Sequence, residues 1–251
     1  PTMTSPAVIL VRPREEGNIG AAARAMANMG LERLVLVEPA PRLGGIARGF
    51  GVGGWEILER AERVATFDEA VAPFSRLVGT ASRRQRPLHR HRVITARQLP
   101  EVLVGDPPGA ETALIFGPED NGLSRRELEV CHPVVTVPCA PDQPTLNLAQ
   151  AVLLIAYELF AARQTSGSSP AEESPTGDAR AKAGELHALH GQVAELLRDI
   201  GYDQEPIRAG LLRDLRQVLA RAEPSAREVR ILRRLCNRTL SARATRRAAT
   251  G

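Results

Sequence analysis

The sequence predicts an α/β domain on a mostly parallel sheet, followed by a small all-α unit. Three observations carry this reading. Short apolar, β-branched runs alternate with helical patterns over the first 164 residues. A Ser/Pro/Gly/Glu-rich stretch, TSGSSPAEESPTGD (165–178), then breaks all periodicity. Beyond it, apolar residues recur only at helical spacing.

Taken in order, AVILV (7–11), RLVLV (33–37), RLVGT (76–80), TALIFG (112–117) and VVTVP (134–138) read as buried strands. Their apolar character is continuous rather than alternating, which implies helices on both faces of the sheet. Helical patterns lie near 18–29, 67–74 and 124–130. The stretch LNLAQAVLLIAYELFAARQ (146–164) is apolar nearly all round and reads as a buried helix. After the break, Leu186, Leu189, Val193, Leu196 and Ile200 share a helical period, as do Leu212, Leu215 and Leu219, then Val229, Leu232 and Leu235. The expected division is 1–164, a flexible linker at 165–182, and a basic helical extension at 183–251. The core of that extension is thin for independent stability.

Composition narrows the class. The 251 residues carry a net charge of +4, and Lys182 is the only lysine. From Arg221 to Gly251, nine arginines face two glutamates, a net +7 that suits a polyanion partner. No run approaches the roughly 20 apolar residues that span a bilayer. The first residues, PTMTSPAVIL, lack a basic leader region. Cys131, Cys139 and Cys236 are isolated, which favours neither a disulfide framework nor zinc. A cytoplasmic location, no membrane partner and no metal are expected.

GNIGAAARAMANMG (17–30) places a charged Arg24 in a helix of mostly small and apolar residues. Asn18 suits an N-cap. Gly20, Arg24 and Asn28 are spaced four apart and line one stripe. That stripe is either a solvated helix edge or a cationic notch for an anion at the mouth of the sheet. Gly17 and Gly20, with Glu38 ending the next strand, also fit loosely a dinucleotide-binding turn. The third glycine of that motif is absent, so a nicotinamide-dependent oxidoreductase is a remote alternative. FGPEDNGLS (116–124) and VPCAPDQPTLNLAQA (137–151) are Gly/Pro-rich loops that each follow a strand. Loops gathered at strand ends suggest one composite pocket.

With GNIGAAARAMANMG, LVGTASRR, LIFGPEDNGLS, VPCAPDQPTLNLAQAVLLIAYEL and RAEPSAREVRILRRL in this order, the chain resembles the SpoU branch of the SPOUT RNA methyltransferases. Within that branch it is similar to the TrmJ-like tRNA 2′-O-methyltransferases. The resemblance covers nearly the whole chain except the linker. It implies an α/β domain with a C-terminal trefoil knot, a homodimer with the pocket at the subunit interface, and S-adenosylmethionine as methyl donor. The donor would lie in three loops: Gly79, Thr80 and Ala81; Phe116, Gly117, Pro118 and Glu119; Val137 with Thr145, Leu146, Asn147 and Leu148. Asn18, Arg24, Glu119 and Asn147 match the family's catalytic-centre positions. The implied reaction methylates a ribose 2′-OH in tRNA, at nucleotide 32 of the anticodon loop. Another tRNA position or rRNA is the alternative target, and DNA is not an expected partner.

Two departures from the family pattern stand out. Thr145 replaces a common serine and keeps the hydroxyl, and Pro118 replaces an arginine of some relatives. In this family the arginine at position 24 is proposed as the base. A guanidinium, however, holds its proton through the neutral range, and aligning the 2′-oxygen and its phosphate would also accelerate transfer. Glu119 would tie either Arg24 or loop amides in place. The basic stretch 82–92, with Arg83, Arg84 and Arg86, is expected on RNA phosphates. So are Arg230, Arg233, Arg234 and Arg238 of the last helix.

Overall fold

The computed structural model describes residues 5–40, 43–82, 91–107, 109–166 and 179–250. Arg83, Arg84 and Arg86, and most of the expected linker, lie outside the described residues. Three βα units open the chain: β1 (Ala7–Val11) and α1 (Glu16–Asn28); β2 (Leu34–Val37) with α2 (Gly45–Phe50) and α3 (Trp55–Glu59); β3 (Glu62–Val64) and α4 (Phe67–Val71). Next come β4 (Arg76–Thr80), β5 (Val93–Thr95), α5 (Leu99–Val104), β6 (Thr112–Phe116), α6 (Arg125–Leu128), β7 (Val134–Thr136) and α7 (Leu148–Ser166). Three further helices, α8 (Ala183–Asp199), α9 (Glu205–Ala222) and α10 (Ala226–Thr250), form the C-terminal unit.

All pairings in the sheet are parallel, in the order β3-β2-β1-β6-β4-β7-β5. One face packs Val8, Leu10, Leu36, Leu114 and Phe116 against α1, α2, α5 and α7. The other packs Ile9, Val11, Val35, Leu77 and Ile115 against α4, α6 and the first residue of α8. Burial on both faces is why these strands read as unbroken apolar runs. The two strands that periodicity misses, β3 and β5, are three-residue edge strands with exposed positions. Edge strands need little apolar sequence.

Two expectations for α1 are corrected. Asn18 is not its N-cap: the helix starts at Glu16, after Glu15. The carboxylate of Glu119, from a loop more than a hundred residues away, accepts from the N–H groups of Arg14 and Glu15 there. Nor does Gly20 form a notch beside Arg24. Gly20 is buried under α2, where a Cβ would stand 2.3 Å from the Ala47 carbonyl oxygen. The missing side chain serves close helix packing rather than anion binding.

The C-terminal unit is docked, not tethered loosely. Thr165 and Ser166 still belong to α7. Ahead of α8, Arg180 bridges Ser225, and Ala181 N–H donates to the Pro224 carbonyl at 2.9 Å. Ala183 and Gly184 N–H groups donate to the Phe74 and Ala72 carbonyls at 2.8 and 3.1 Å. Arg76, whose side chain is 3% exposed, is held by Asp106 and Glu223; Arg180 reaches the same two carboxylates. This buried network of two cations and two anions clamps the turn after α9 to the start of β4. The unit needs the clamp, because its own core holds few buried residues: Ala181, Leu189, Leu219 and Val229. Ile200, Leu232 and Leu235, periodic in sequence, stay 44%, 38% and 58% exposed.

Between α8 and the sheet domain, His190 is buried with its Nε2 lacking a hydrogen-bond partner among the described residues. Burial, then the charges of Arg216 and His187, push its pKa from 6.5 down to about 4. The folded state resists protonation that the unfolded state accepts. His190 therefore contributes its full stability above pH 6.5 and loses it progressively as pH falls toward 4. Urea midpoints measured across that window should fall more steeply for wild type than for His190→Phe. Parallel curves would refute the assignment.

Candidate active site

The loops that follow β1, β4, β6 and β7 converge at the carboxyl ends of the strands. Chain order reverses there, between β1 and β6, which is where open parallel sheets place ligands. A polar relay crosses this point. Asn147, directly before α7, accepts from the Ala149 N–H at 2.9 Å. Its Nδ2 donates to Asn18 Oδ1 at 2.8 Å, and Asn18 Nδ2 donates to Glu119 Oε1 at 2.9 Å. Every amide orientation in the chain is set by its neighbour. Asn147 thus caps α7 and reaches Asn18 across 129 residues of sequence.

Burial works to raise the Glu119 pKa. The Asn18 amide and the N–H groups of Glu119, Arg14 and Glu15 outweigh it and hold the carboxyl below its ordinary value. Glu119 is therefore an anion that accepts from loop amides. Further contacts stitch the same loops. Arg12, at φ +48°, pairs with the buried Glu127 at 2.7 Å, and Glu127 completes the capping box of α6 with Ser124. Arg14 pairs with Asp120 at 2.8 Å.

Beside the relay lies a cleft. Of the residues expected around the methyl donor, Thr80, Ala81, Phe116, Gly117, Pro118, Glu119, Val137, Thr145, Leu146 and Leu148 line it. Gly79 and Asn147 do not. Gly79 sits inside the sheet, where a Cβ would come 2.9 Å from Cys131, and Asn147 turns to the relay. Sequence reasoning missed Cys139, Asp120, Asn121, Ala151 and Ile155 on the walls. The last two are helix residues on the turn-by-turn period of Leu148, a signal that could have found them. Gly117 lets the loop fold on itself, since a Cβ there would stand 2.2 Å from the Gly122 and Leu123 backbone.

Arg24 is separate. It is exposed on α1 and makes no hydrogen bond or ion pair among the described residues. Six residues turn an α-helix by about 240°, which points Arg24 away from the face of Asn18. The structure thus gathers three of the four expected catalytic-centre residues and leaves the fourth in solvent. On α10, Arg230, Arg233, Arg234 and Arg238 line one groove with Asn237 and Ser241. Gln192 of α8 sets it, accepting from Arg233 Nε at 3.2 Å and donating to Asn237 at 2.9 Å. No ion pair engages these four arginines among the described residues.

The SpoU rRNA methylase family model matches residues 5–157, which includes the cleft and the relay. The chain belongs to that family. It is thereby a methyltransferase. Relatives extend the match past the sheet domain. The tRNA (cytidine/uridine-2′-O-)-methyltransferase TrmJ of Salmonella typhimurium is 32% identical over 231 residues, 90% of this chain and 92% of that one. The crystal structure of TrmJ from Z. mobilis ZM4 superposes with a TM-score of 0.81 at 32% identity, covering 95% of this chain and all of that one. A probable methylase family protein from Haemophilus influenzae Rd KW20 aligns over both full chains with a TM-score of 0.64 and 31% identity. Gly17 and Gly20, read loosely as a dinucleotide-binding turn, both lie inside α1, and Glu38 lies 4.0 Å from Arg12 across the adjoining strand ends.

Proposed function

We propose that this chain methylates the 2′-OH of a pyrimidine ribose in tRNA, at nucleotide 32 of the anticodon loop, with S-adenosylmethionine as donor. The observation that carries the reading is the Asn147–Asn18–Glu119 relay at the lip of a cleft built from three strand-end loops. TrmJ relatives named as tRNA cytidine/uridine 2′-O-methyltransferases support the substrate. The residues fit the donor: Phe116, Val135, Leu148 and Ile155 offer an apolar floor for a purine, and loop 117–122 brings backbone groups to its edge. Bound there, S-adenosylmethionine supplies an electrophilic sulfonium methyl. The relay holds the loops rigid, and Arg24 orients the 2′-oxygen and its neighbouring phosphate.

Arg24 does this as part of a homodimer. The helices on either side of α1 expose apolar side chains: Ile46 and Phe50 on α2, Leu153, Leu154 and Tyr157 on α7. Covering them with a second copy would remove this patch from water and carry Arg24 to the partner's cleft. The groove of Arg230, Arg233, Arg234 and Arg238, with Arg83, Arg84 and Arg86, would hold the RNA backbone in a cytoplasmic enzyme. Mass spectrometry of nuclease fragments from tRNA incubated with the protein and donor should find one 2′-O-methylated pyrimidine at position 32. Methylation elsewhere, or of rRNA alone, would replace the target; none at all would end the reading.

A further inference from the structure

Arg14 stands where the relay meets the cleft, and its side chain has so far been used only for the pair with Asp120. Its backbone N–H is bound to Glu119 Oε2 at 3.1 Å. Its guanidinium is 58% exposed and, among the described residues, pairs with Asp120 alone, at 2.8 Å; Asp120 is itself 37% exposed and lines the cleft. The backbone that carries Arg14 is held on both sides. Arg12 N–H donates to the Val37 carbonyl at 2.8 Å, its side chain reaches buried Glu127 at 2.7 Å, and Ala40 N–H donates to the Pro13 carbonyl at 3.2 Å. A cation is thus presented on a rigid loop at the mouth of the site, where little ordering remains to be done on binding.

From this geometry we infer that Arg14 binds a backbone phosphate of the RNA substrate at the mouth of the cleft, with Asp120 occupying the guanidinium until substrate displaces it. The inference rests on the function proposed above. In RNA the 2′-oxygen and the 3′-phosphate sit on neighbouring carbons of one ribose, so a hydroxyl that enters the cleft brings a phosphate to its mouth, where a cation adds binding. A guanidinium suits this because its planar fork meets two phosphate oxygens at once. The exposed pair with Asp120 is weak by comparison and keeps the charge aimed across the lip.

The test uses the full chain with tRNA and S-adenosylmethionine. Arg14→Gln should raise the KM for tRNA by about tenfold and leave kcat within about twofold. The log–log salt slope of tRNA binding should become shallower by about one, and the Kd for S-adenosylmethionine should not move. Asp120→Asn removes the competing anion and should lower the KM for tRNA. A wild-type KM and slope in Arg14→Gln would overturn the inference. So would weaker S-adenosylmethionine binding, which would make the donor's carboxylate the ligand. Asp120→Asn behaving like Arg14→Gln would also overturn it, by showing that the pair only braces the loops. A wild-type protein that methylates no RNA would defeat the proposed function instead, and the salt slope would still judge Arg14.

Discussion

Arg24→Ala should lower methyl transfer by roughly 10²-fold or more while leaving S-adenosylmethionine affinity and thermal stability close to wild type. Stability is spared because the side chain is exposed and makes no polar contact among the described residues. Exposed substitutions away from caps and networks usually stay within about 0.5 kcal/mol. The helix itself is held by Ile19, Ala22, Ala23 and Met26, all buried. The loss therefore falls on chemistry, through misplacement of the 2′-oxygen. Arg24→Lys keeps the charge without the fork, and an intermediate rate is expected from it. Stopped-time methylation assays with saturating tRNA check both. Near-normal turnover in the alanine variant would end the assignment.

Gly117→Ala should have the second largest effect, and of a different kind. An added Cβ would lie 2.2 Å from backbone atoms of Gly122 and Leu123, so the loop must open. Opening moves Glu119, two residues on, out of reach of Asn18 and of the amides before α1. Donor affinity should fall by on the order of tenfold or more, with turnover falling beside it. Isothermal titration with S-adenosylmethionine reads the first and a methylation assay the second. Gly49→Ala is the matched control, because its Cβ would meet nothing within 4 Å. A Gly117→Ala protein that binds the donor normally would place the donor away from this loop.

The sheet was legible because burial on both faces leaves a mark on every residue of a central strand. AVILV, LVLV, TALIF and VVT are strands that run apolar with little alternation, as does the Leu77–Gly79 stretch of RLVGT. The edge strands ERV and VIT carry no such mark, since one flank of each is free. Helix existence was legible too, but not helix contacts. Leucine spacing found α8, α9 and α10 and gave no sign that Leu232 and Leu235 face solvent while Val229 is buried. That choice depends on where the unit docks. The docking is set by Arg76, Asp106, Arg180 and Glu223, four charges scattered over 148 residues, none of which stands out from an ordinary surface charge in sequence.

By itself the sequence determined the α/β architecture, the basic C-terminal unit and the loops that would carry the chemistry. All three depend on local composition: apolar runs, arginine density, and glycines and prolines next to strand ends. Tertiary structure alone decided what those loops do together. Asn18 looked like a cap and is a relay member, because the carboxylate at the α1 terminus arrives from Glu119. Gly20 looked like part of an anion notch and is a packing contact, because α2 crosses α1 there. Arg24 was expected in one catalytic centre with Asn18, Glu119 and Asn147, and helix rotation sets it on another face from Asn18. Hydrogen bonds and close contacts between residues a hundred positions apart depend on three-dimensional distance, and no local pattern encodes that distance.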